Sequence, residues 1–234
     1  MRIQMDLEDK KVLVVGTGIS GVAAAELLEA NYIGFDIFDG NEALTESDIR
    51  EKSKALSACG VWIGGLPEAQ MDNYSYAVLS PGVPTDLPMI ESLRAHGVHI
   101  WGEIELAYAF SEGDVLAITG TNGKTTTTAL TGEIMKNYVK DVQVVGNIGI
   151  PYTRMALDMT SETVTVAEIS SFQLETVWHF APKVSAILNI TPDHLNRHHT
   201  MENYIAAKER ITEGQSAEDV CVLNYEDAVL RAFG

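Results

Sequence analysis

A short glycine-bearing segment at residues 120–128, Gly-Thr-Asn-Gly-Lys-Thr-Thr-Thr-Thr, places the strongest constraint on how this chain folds. An apolar run at residues 115–118 precedes it, and a helical pattern at residues 129–138 follows. Strand, glycine loop and helix in this order hold polyphosphates, because glycines let backbone N–H groups approach the phosphates and a helix N-terminus adds positive partial charge. Lys124 is then expected at the outer phosphates and the Thr125 hydroxyl at Mg²⁺.

This segment departs from the common nucleotide-binding pattern at one position. A strict Walker A sequence has a glycine five residues before Gly123, where this chain has Ile118. The alternative interpretation is a plain glycine turn between a strand and a helix, with a surface lysine. Because the strand–loop–helix setting is the expected one, we interpret the segment as a nucleoside triphosphate loop.

A second glycine motif lies near the N-terminus. Residues 11–15 indicate a buried strand, residues 16–21 read Gly-Thr-Gly-Ile-Ser-Gly, and residues 22–30 indicate a helix. A strand at residues 34–38 then ends at Asp39, eighteen residues after the last glycine of the motif. An acidic residue at about this distance commonly contacts a nucleotide ribose. The pattern favours a nucleotide site, and the alternative is a tight turn that binds no ligand.

Short β-like runs alternate with helical patterns, which is typical of α/β proteins with parallel sheets. The polar, glycine-bearing residues 111–114 separate two such series, so we predict domains at residues 1–112 and 113–234. Residues 44–58 are predicted to form one helix. The Ser-Pro-Gly turn at residues 80–82 follows a strand, and such turns line the ligand crevice of open α/β sheets. A plain proline–glycine turn is an equally good interpretation of that stretch alone.

Polar residues stand at the carboxyl ends of predicted strands in the second domain, namely Asn147, Glu168, Asp193 and His194. In a parallel sheet these ends lie at the same edge as the phosphate loop. Glu168, Thr125 and phosphate oxygens would give Mg²⁺ the ligands it prefers, so the set suits metal-assisted phosphoryl transfer. A single histidine such as His194 is more often structural than functional. His198 and His199 are expected to be solvated surface residues.

Composition and charge exclude several classes of partner. The formal net charge of −17 argues against general nucleic-acid or anionic-membrane binding, since both require a basic surface. Cys59 and Cys221 lack metal-ligand spacing, and we expect buried free thiols in a reducing compartment. No apolar run approaches the ~18 residues of a membrane span, and no signal peptide is visible. We therefore expect a cytoplasmic protein.

Five motifs occur together: the loop at residues 120–125, Gly-Asn-Ile-Gly at 146–149, Glu-Ile-Ser-Ser-Phe-Gln-Leu-Glu at 168–175, Thr-Pro-Asp-His-Leu at 191–195 and Tyr-Ile-Ala-Ala-Lys at 204–208. In this order they resemble the ATP-dependent Mur ligases. With the N-terminal glycine loop and the Ser-Pro-Gly turn, the chain most resembles the MurD-type branch of that family. The resemblance implies an N-terminal Rossmann-like parallel-sheet domain followed by an incomplete P-loop-type central domain. The family's C-terminal domain, which binds D-glutamate, would be absent.

The resemblance also implies roles for individual residues. The ATP phosphates would be held by Gly120, Thr121, Asn122, Gly123, Lys124, Thr125 and Thr126. The UDP substrate would be bound by Gly18, Ile19, Ser20, Asp39, Ser80, Pro81, Gly82, Asn147, Ser170, Gln173 and His194. The catalytic residues would be Lys124, Glu168, His194 and Lys208. Two Mg²⁺ sites would use Thr125, Glu168, His194 and Lys208 as a carbamate, because a carbamate has the oxygens that an ammonium lacks.

The implied reaction is the ATP-dependent ligation of D-glutamate to UDP-N-acetylmuramoyl-L-alanine through an acyl phosphate, in peptidoglycan precursor synthesis. Without a D-glutamate site, we expect this chain to recognise the UDP substrate but to lack ligase activity. The resemblance implies a monomeric full-length enzyme. One alternative is a non-catalytic nucleotide-sugar-binding module. Another is an NAD(P)-dependent dehydrogenase using the first glycine loop, which leaves the phosphate loop, Glu168 and Lys208 unexplained.

Overall fold

The computed structural model describes residue 7 and residues 9–234; residues 1–6 and 8 of the predicted first domain lie outside the described residues. The first sheet contains β1 (Lys11–Val15), β2 (Gly34–Asp39), β3 (Gly60–Ile63), β4 (Tyr76–Leu79) and β5 (His99–Gly102), in the order β3-β2-β1-β4-β5. The second contains β6 (Asp114–Thr119), β7 (Val142–Gly146), β8 (Val164–Glu168), β9 (Val184–Ile187) and β10 (Val220–Leu223), in the order β10-β9-β6-β8-β7. All their pairings are parallel, which confirms the predicted α/β class.

Helices connect the strands and cover the sheets. They are α1 (Ile19–Ala30), α2 (Glu46–Arg50), α3 (Glu68–Met71), α4 (Pro88–Ala95), α5 (Glu103–Phe110), α6 (Lys124–Met135), α7 (Tyr152–Met155), α8 (Ser171–Leu174), α9 (Leu195–His198), α10 (Met201–Glu209) and α11 (Ala228–Phe233). Residues 12–15 of β1 are all buried, as expected for a parallel strand covered on both faces.

The order of the strands determines where ligands can bind. In each sheet the chain first adds strands on one side of its first strand and then on the other side. The change of side falls between β1 and β4 in the first sheet and between β6 and β9 in the second. Loops at the carboxyl ends of strands open into a crevice at such a switch point. The loops at residues 16–21 and 80–84 therefore share one crevice, and those at residues 120–123 and 188–194 share another.

The predicted helix at residues 44–58 is wrong, because polar side chains start two separate elements there. Thr45 forms a capping box at the start of α2, which ends at Arg50. The side chain of Ser53 then caps a separate 3₁₀ turn, Lys54–Leu56. Capping by serine and threonine competes with helix continuation, so apolar spacing alone overestimated this helix.

Helix α5 contacts β4 and β5 of the first sheet and α7 and α8 of the second domain, and it is buried along its whole length. The Glu105 carboxylate accepts hydrogen bonds from the three backbone N–H groups of residues 178–180, at 2.8–3.2 Å. The Glu103 carboxylate accepts from the backbone N–H and the hydroxyl of Thr153, at 2.7 and 2.9 Å. Two buried acids thus attach this helix to the second domain. The predicted boundary at residues 112/113 falls just after α5 and stays a prediction.

The expectation of two buried thiols is wrong for Cys221, which is exposed on the edge strand β10, while Cys59 is half-buried. Both cysteines are free, as expected. Burial raises the pKa of the Cys59 thiol. Among the described residues, no helix combines the length and the apolar character that crossing a membrane requires.

Candidate active site

The phosphate loop is held in shape by the segment that follows β9. The N–H of Thr121 donates to the Asn189 carbonyl and that of Asn122 to the Asn189 side chain, both at 2.9 Å. Gly123 has φ of +82°, a left-handed conformation that favours glycine, and α6 begins directly after it. The helix therefore starts at Lys124 and not at residue 129 as predicted. The N–H groups of its first turn have no acceptor within the helix, which is the arrangement that binds phosphate.

Two lysines converge on one carbonyl of this loop. Lys124 Nζ donates to the Gly120 and Thr121 carbonyls at 3.0 and 2.9 Å, and Lys208 Nζ donates to the Gly120 carbonyl at 2.8 Å. Lys208 is only 1% exposed, and its Nζ lies 4.7 Å from the centroid of the Tyr204 ring. Burial, followed by the positive charge of Lys124, lowers the pKa of Lys208 to about 7. A large fraction of this side chain is therefore a neutral amine near neutral pH.

Glu168 ends β8 as a buried carboxylate with an incomplete set of partners. Its Oε1 accepts from Asn147 Nδ2 at 2.8 Å, whereas its buried Oε2 has no hydrogen-bond partner among the described residues. The end of β7 lies close to the backbone of Glu168, and only glycine fits at position 146, since a Cβ there would lie 2.2 Å from the Glu168 carbonyl oxygen. A buried oxygen with no donor suits a bound cation, and carboxylate is a preferred Mg²⁺ ligand.

His194 and Thr125 lie at the open side of the loop. His194 adopts φ of +52°, its N–H donates to Asp193 Oδ1 at 2.8 Å, and its ring packs 4.9 Å from the Phe172 ring. Thr125 is exposed in the first turn of α6. The described residues contain no group of three or more His, Cys, Asp or Glu side chains able to hold a metal ion. The Mg²⁺ ligands implied by the resemblance are a different set, which includes a hydroxyl and a modified lysine.

A cavity of about 430 Å³ lies where the two domains meet. The residues predicted for the UDP substrate that line it are Gly18, Ile19, Ser20, Ser80, Pro81, Gly82, Asn147 and Gln173. The Ser80 hydroxyl oxygen is buried and has no partner in the described part of the chain. Ser170 does not line the cavity but fixes Gln173, whose Oε1 accepts from the Ser170 N–H and hydroxyl, both at 2.9 Å. Loops from both domains thus form one candidate substrate pocket.

Asp39 and His194, also predicted for the UDP substrate, do not line this cavity. Asp39 Oδ2 accepts from the N–H and the hydroxyl of Thr17 at 3.0 and 2.5 Å, and its Oδ1 accepts from the Asn41 N–H at 2.9 Å. Burial raises the pKa of Asp39, but these hydrogen bonds outweigh it and leave the pKa below its usual value. Asp39 therefore shapes the first glycine loop, and its contact with a ligand stays a prediction.

The expectation that His198 is solvated is wrong, since it is 5% exposed. Its Nε2 hydrogen-bonds with Ser171 Oγ at 2.9 Å, and its Nδ1 lies 3.4 Å from Glu175 Oε1. Burial lowers the pKa of His198 although Glu175 opposes this, so the ring is neutral near pH 7. His199 is exposed, as expected. These contacts join residues more than twenty positions apart in the chain, so no local sequence pattern signals them beyond the motifs themselves.

Tyr204 belongs beside the phosphate loop, although no individual role was predicted for it. Its hydroxyl lies 3.0 Å from Thr121 Oγ1 in that loop. The sequence signal for this position is the spacing of four residues between Tyr204 and Lys208, because residues four apart lie on the same face of a helix.

Comparison with known proteins identifies a family for most of the chain. Residues 10–102 match the protein family described as "Mur ligase MurD-like, N-terminal domain", and residues 118–233 match "Mur ligase middle domain". The UDP-N-acetylmuramoylalanine–D-glutamate ligase of Lachnoclostridium phytofermentans is 55% identical over 227 residues, which cover 97% of this chain and 50% of the relative. That of Lachnospira eligens is 54% identical over 231 residues, covering 98% and 51%. The chain spans about half the length of the curated relatives it matches.

Solved structures show the same fold. UDP-N-acetylmuramate-alanine ligase MurC from Thermotoga maritima has a TM-score of 0.52 at 24% identity, covering 96% of this chain and 51% of that protein. The UDP-N-acetylmuramate:L-alanyl-gamma-D-glutamyl-meso-diaminopimelate ligase from Neisseria meningitides has a TM-score of 0.57 at 15% identity, covering 95% and 74%. Two adjoining family matches and a shared fold show that this chain belongs to the Mur ligase family.

Proposed function

We propose that this chain forms the UDP-substrate and ATP-phosphate sites of a ligase that joins D-glutamate to UDP-N-acetylmuramoyl-L-alanine in peptidoglycan precursor synthesis. The observation that carries the proposal is the interdomain cavity, where loops predicted for one substrate meet from both domains. Relatives at 54–55% identity that bear this ligase name support it. The proposed place of action is the cytoplasm.

The proposed chemistry has two steps. The alanyl carboxylate of the substrate attacks the γ-phosphate of ATP, which gives an acyl phosphate and ADP. The amine of D-glutamate then displaces phosphate through a tetrahedral intermediate. The Lys124 ammonium and the first-turn N–H groups of α6 stabilise charge on the transferring phosphoryl group. The resemblance implies that a further domain of the family supplies the D-glutamate site.

Magnesium, when bound, supplies charge neutralisation at the phosphates. Thr125, Glu168, His194 and a carbamylated Lys208 would hold it, and the unpartnered Glu168 Oε2 fits this role. Carbamylation joins the neutral Lys208 amine to CO₂ and releases a proton, and the lowered pKa of Lys208 makes that amine available. A carbonyl ¹³C signal after incubation with ¹³C-bicarbonate and Mg²⁺, absent in Lys208→Met, is the expected result. An unmodified Lys208 in an assembled site would contradict it.

Calorimetry with UDP-N-acetylmuramoyl-L-alanine tests the proposed function. We expect the chain to bind this ligand and expect Gln173→Ala, in the cavity wall, to weaken binding. Tyr32→Ala is a matched control, because Tyr32 is 99% exposed and does not line the cavity. A folded wild-type chain that does not bind the ligand would overturn the proposal.

A non-catalytic nucleotide-sugar-binding module is the second candidate, since the interdomain cavity by itself would suffice for binding a nucleotide sugar. A parallel titration with a non-hydrolysable ATP analogue separates the two functions. Binding of the UDP substrate without the analogue favours the module, and binding of both favours the ligase. An NAD(P)-dependent dehydrogenase leaves the phosphate loop without a role, and failure to bind NAD(P) would dispose of it.

A further inference from the structure

We propose that Glu175 and Arg197 are positioning residues that hold the loop at residues 80–86 against the second domain. By doing so they fix the wall of the cavity that includes Pro81 and Gly82. The identity of the ligand in that cavity rests on the proposed function, whereas the positioning role rests on contacts within the chain.

The two side chains form a partly buried ion pair. Arg197 Nη2 lies 2.6 Å from Glu175 Oε2, and Arg197 Nε lies 3.3 Å from Glu175 Oε1. The side chains are 12% and 14% exposed. A two-point guanidinium–carboxylate pair with little solvent access fixes geometry better than an exposed pair does.

The Glu175–Arg197 pair also forms hydrogen bonds with the first domain. Arg197 Nη2 donates to the Val83 carbonyl at 2.9 Å, and the Thr85 hydroxyl donates to Glu175 Oε2 at 3.2 Å. Val83 in turn closes the Ser-Pro-Gly turn, because its N–H donates to the Ser80 carbonyl at 2.9 Å. Arg197 therefore holds the residue that shapes the cavity wall.

On its other side, the pair is connected to the phosphate loop. The Arg197 guanidinium lies 5.0 Å from the centroid of the Phe172 ring, next in sequence to the cavity residue Gln173. The buried His198 lies between Glu175 and the Tyr204 ring, whose centroid is 5.2 Å away. Since the Tyr204 hydroxyl contacts the phosphate loop, unbroken contacts link that loop to residues 80–86.

Arginine is needed at position 197 because one planar guanidinium serves two acceptors in different domains. A lysine ammonium is a single point charge and does not reproduce the two-point geometry. Glutamate at position 175 is needed as an acceptor for both the guanidinium and the Thr85 hydroxyl.

The test compares Arg197→Ala and Arg197→Lys with a matched interdomain control, Arg154→Ala. Arg154 pairs with Glu26 of the first domain at 3.1 Å but has no hydrogen bond to residues 80–86. For Arg197→Ala we expect amide exchange at Val83 to accelerate about tenfold and affinity for UDP-N-acetylmuramoyl-L-alanine to fall about tenfold. Arg197→Lys should be intermediate, and Arg154→Ala should stay within about twofold in both measurements.

Unchanged exchange at Val83 in a folded Arg197→Ala chain would overturn the proposal, as would equal losses in Arg154→Ala. If Arg197→Ala does not fold, Thr85→Val removes only one hydroxyl and should change both quantities in the same direction by less. A wild-type chain that does not bind the UDP ligand refutes the proposed function, and exchange at Val83 still decides the positioning role. Faster exchange with unchanged affinity in a binding-competent chain would also overturn the proposal.

Discussion

Asp36 in the first sheet and Glu168 in the second are both buried acids on parallel strands, yet their surroundings differ. Asp36 accepts from the Tyr74 hydroxyl at 2.5 Å and the Gly60 N–H at 2.9 Å, and it pairs with Lys11 at 2.7 Å. Glu168 has one donor for one oxygen and none for the other among the described residues. A buried charge with complete partners stabilises a fold, whereas one with incomplete partners leaves room for a ligand.

The pKa values of buried charged groups also differ between the first sheet and the second domain. Burial raises the pKa of Asp36, but Lys11, Tyr74 and Gly60 outweigh it, so the pKa lies below its usual value. Beside the phosphate loop, the Asp193 carboxylate only partly offsets burial and the positive charge of Lys124, and the pKa of Lys208 falls to about 7. The first sheet keeps its buried charge, while the second domain holds a lysine close to losing its charge.

Of the substitutions considered, Lys208→Met should have the largest effect on the free energy of unfolding and on its pH dependence. Between pH 7 and about 10.5 the unfolded chain keeps the Lys208 proton that the folded chain has lost, so wild-type stability rises with pH there. The variant lacks this titration and should be the more stable protein at pH 7. Its advantage should shrink by about 1.4 kcal/mol per pH unit between about pH 8 and pH 10, as measured by urea unfolding in CO₂-free buffer.

Lys183→Met is the control for this slope. Lys183 pairs with Asp219 at the surface, and that carboxylate raises the pKa of Lys183. A lysine that is charged in both the folded and the unfolded chain below pH 10 makes no pH-dependent contribution to the free energy of unfolding between pH 7 and 10. A Lys208→Met advantage that stays constant over this range would show that Lys208 is an ordinary charged lysine.

Asp36→Asn is expected to cost about 2–3 kcal/mol, because it removes a charge with three partners while keeping the shape of the side chain. The native pKa of Asp36 is lowered, so its stabilisation is present above about pH 4 and is lost as the pH falls through the native pKa. The gap between variant and wild type in urea unfolding should therefore narrow below pH 4. A cost no larger than that of Asp86→Asn, at an exposed site, would remove the contrast with Glu168.

The sequence predicted local features better than tertiary ones. Gly123 has a local conformational role that its motif signals, and the strands are apolar runs that stand out individually. The burial of His198 depends on Glu175 and Ser171, more than twenty residues away, and no local pattern encodes it. Eight residues that the resemblance assigns to the UDP substrate line one cavity, although their contact with a ligand stays a prediction. The motifs carried no sign of the hydrogen bonds that occupy both oxygens of Asp39. Motifs therefore indicate which residues belong to a candidate site. The packing and hydrogen bonds around those residues depend on contacts between distant parts of the chain, which only the folded structure shows.

Glu168→Gln should have the smallest effect on stability and a decisive effect on ligand binding. The variant keeps the acceptor for Asn147 Nδ2 and removes a buried charge, so we expect stability within about 1 kcal/mol of wild type. Wild type should gain thermal stability on addition of Mg²⁺ with an ATP analogue, because ligands that bind only the folded state stabilise it. The variant should lose most of that gain. If Glu168→Gln instead costs as much as Asp36→Asn without ligand, Glu168 is a structural acid and the contrast between the two sheets fails.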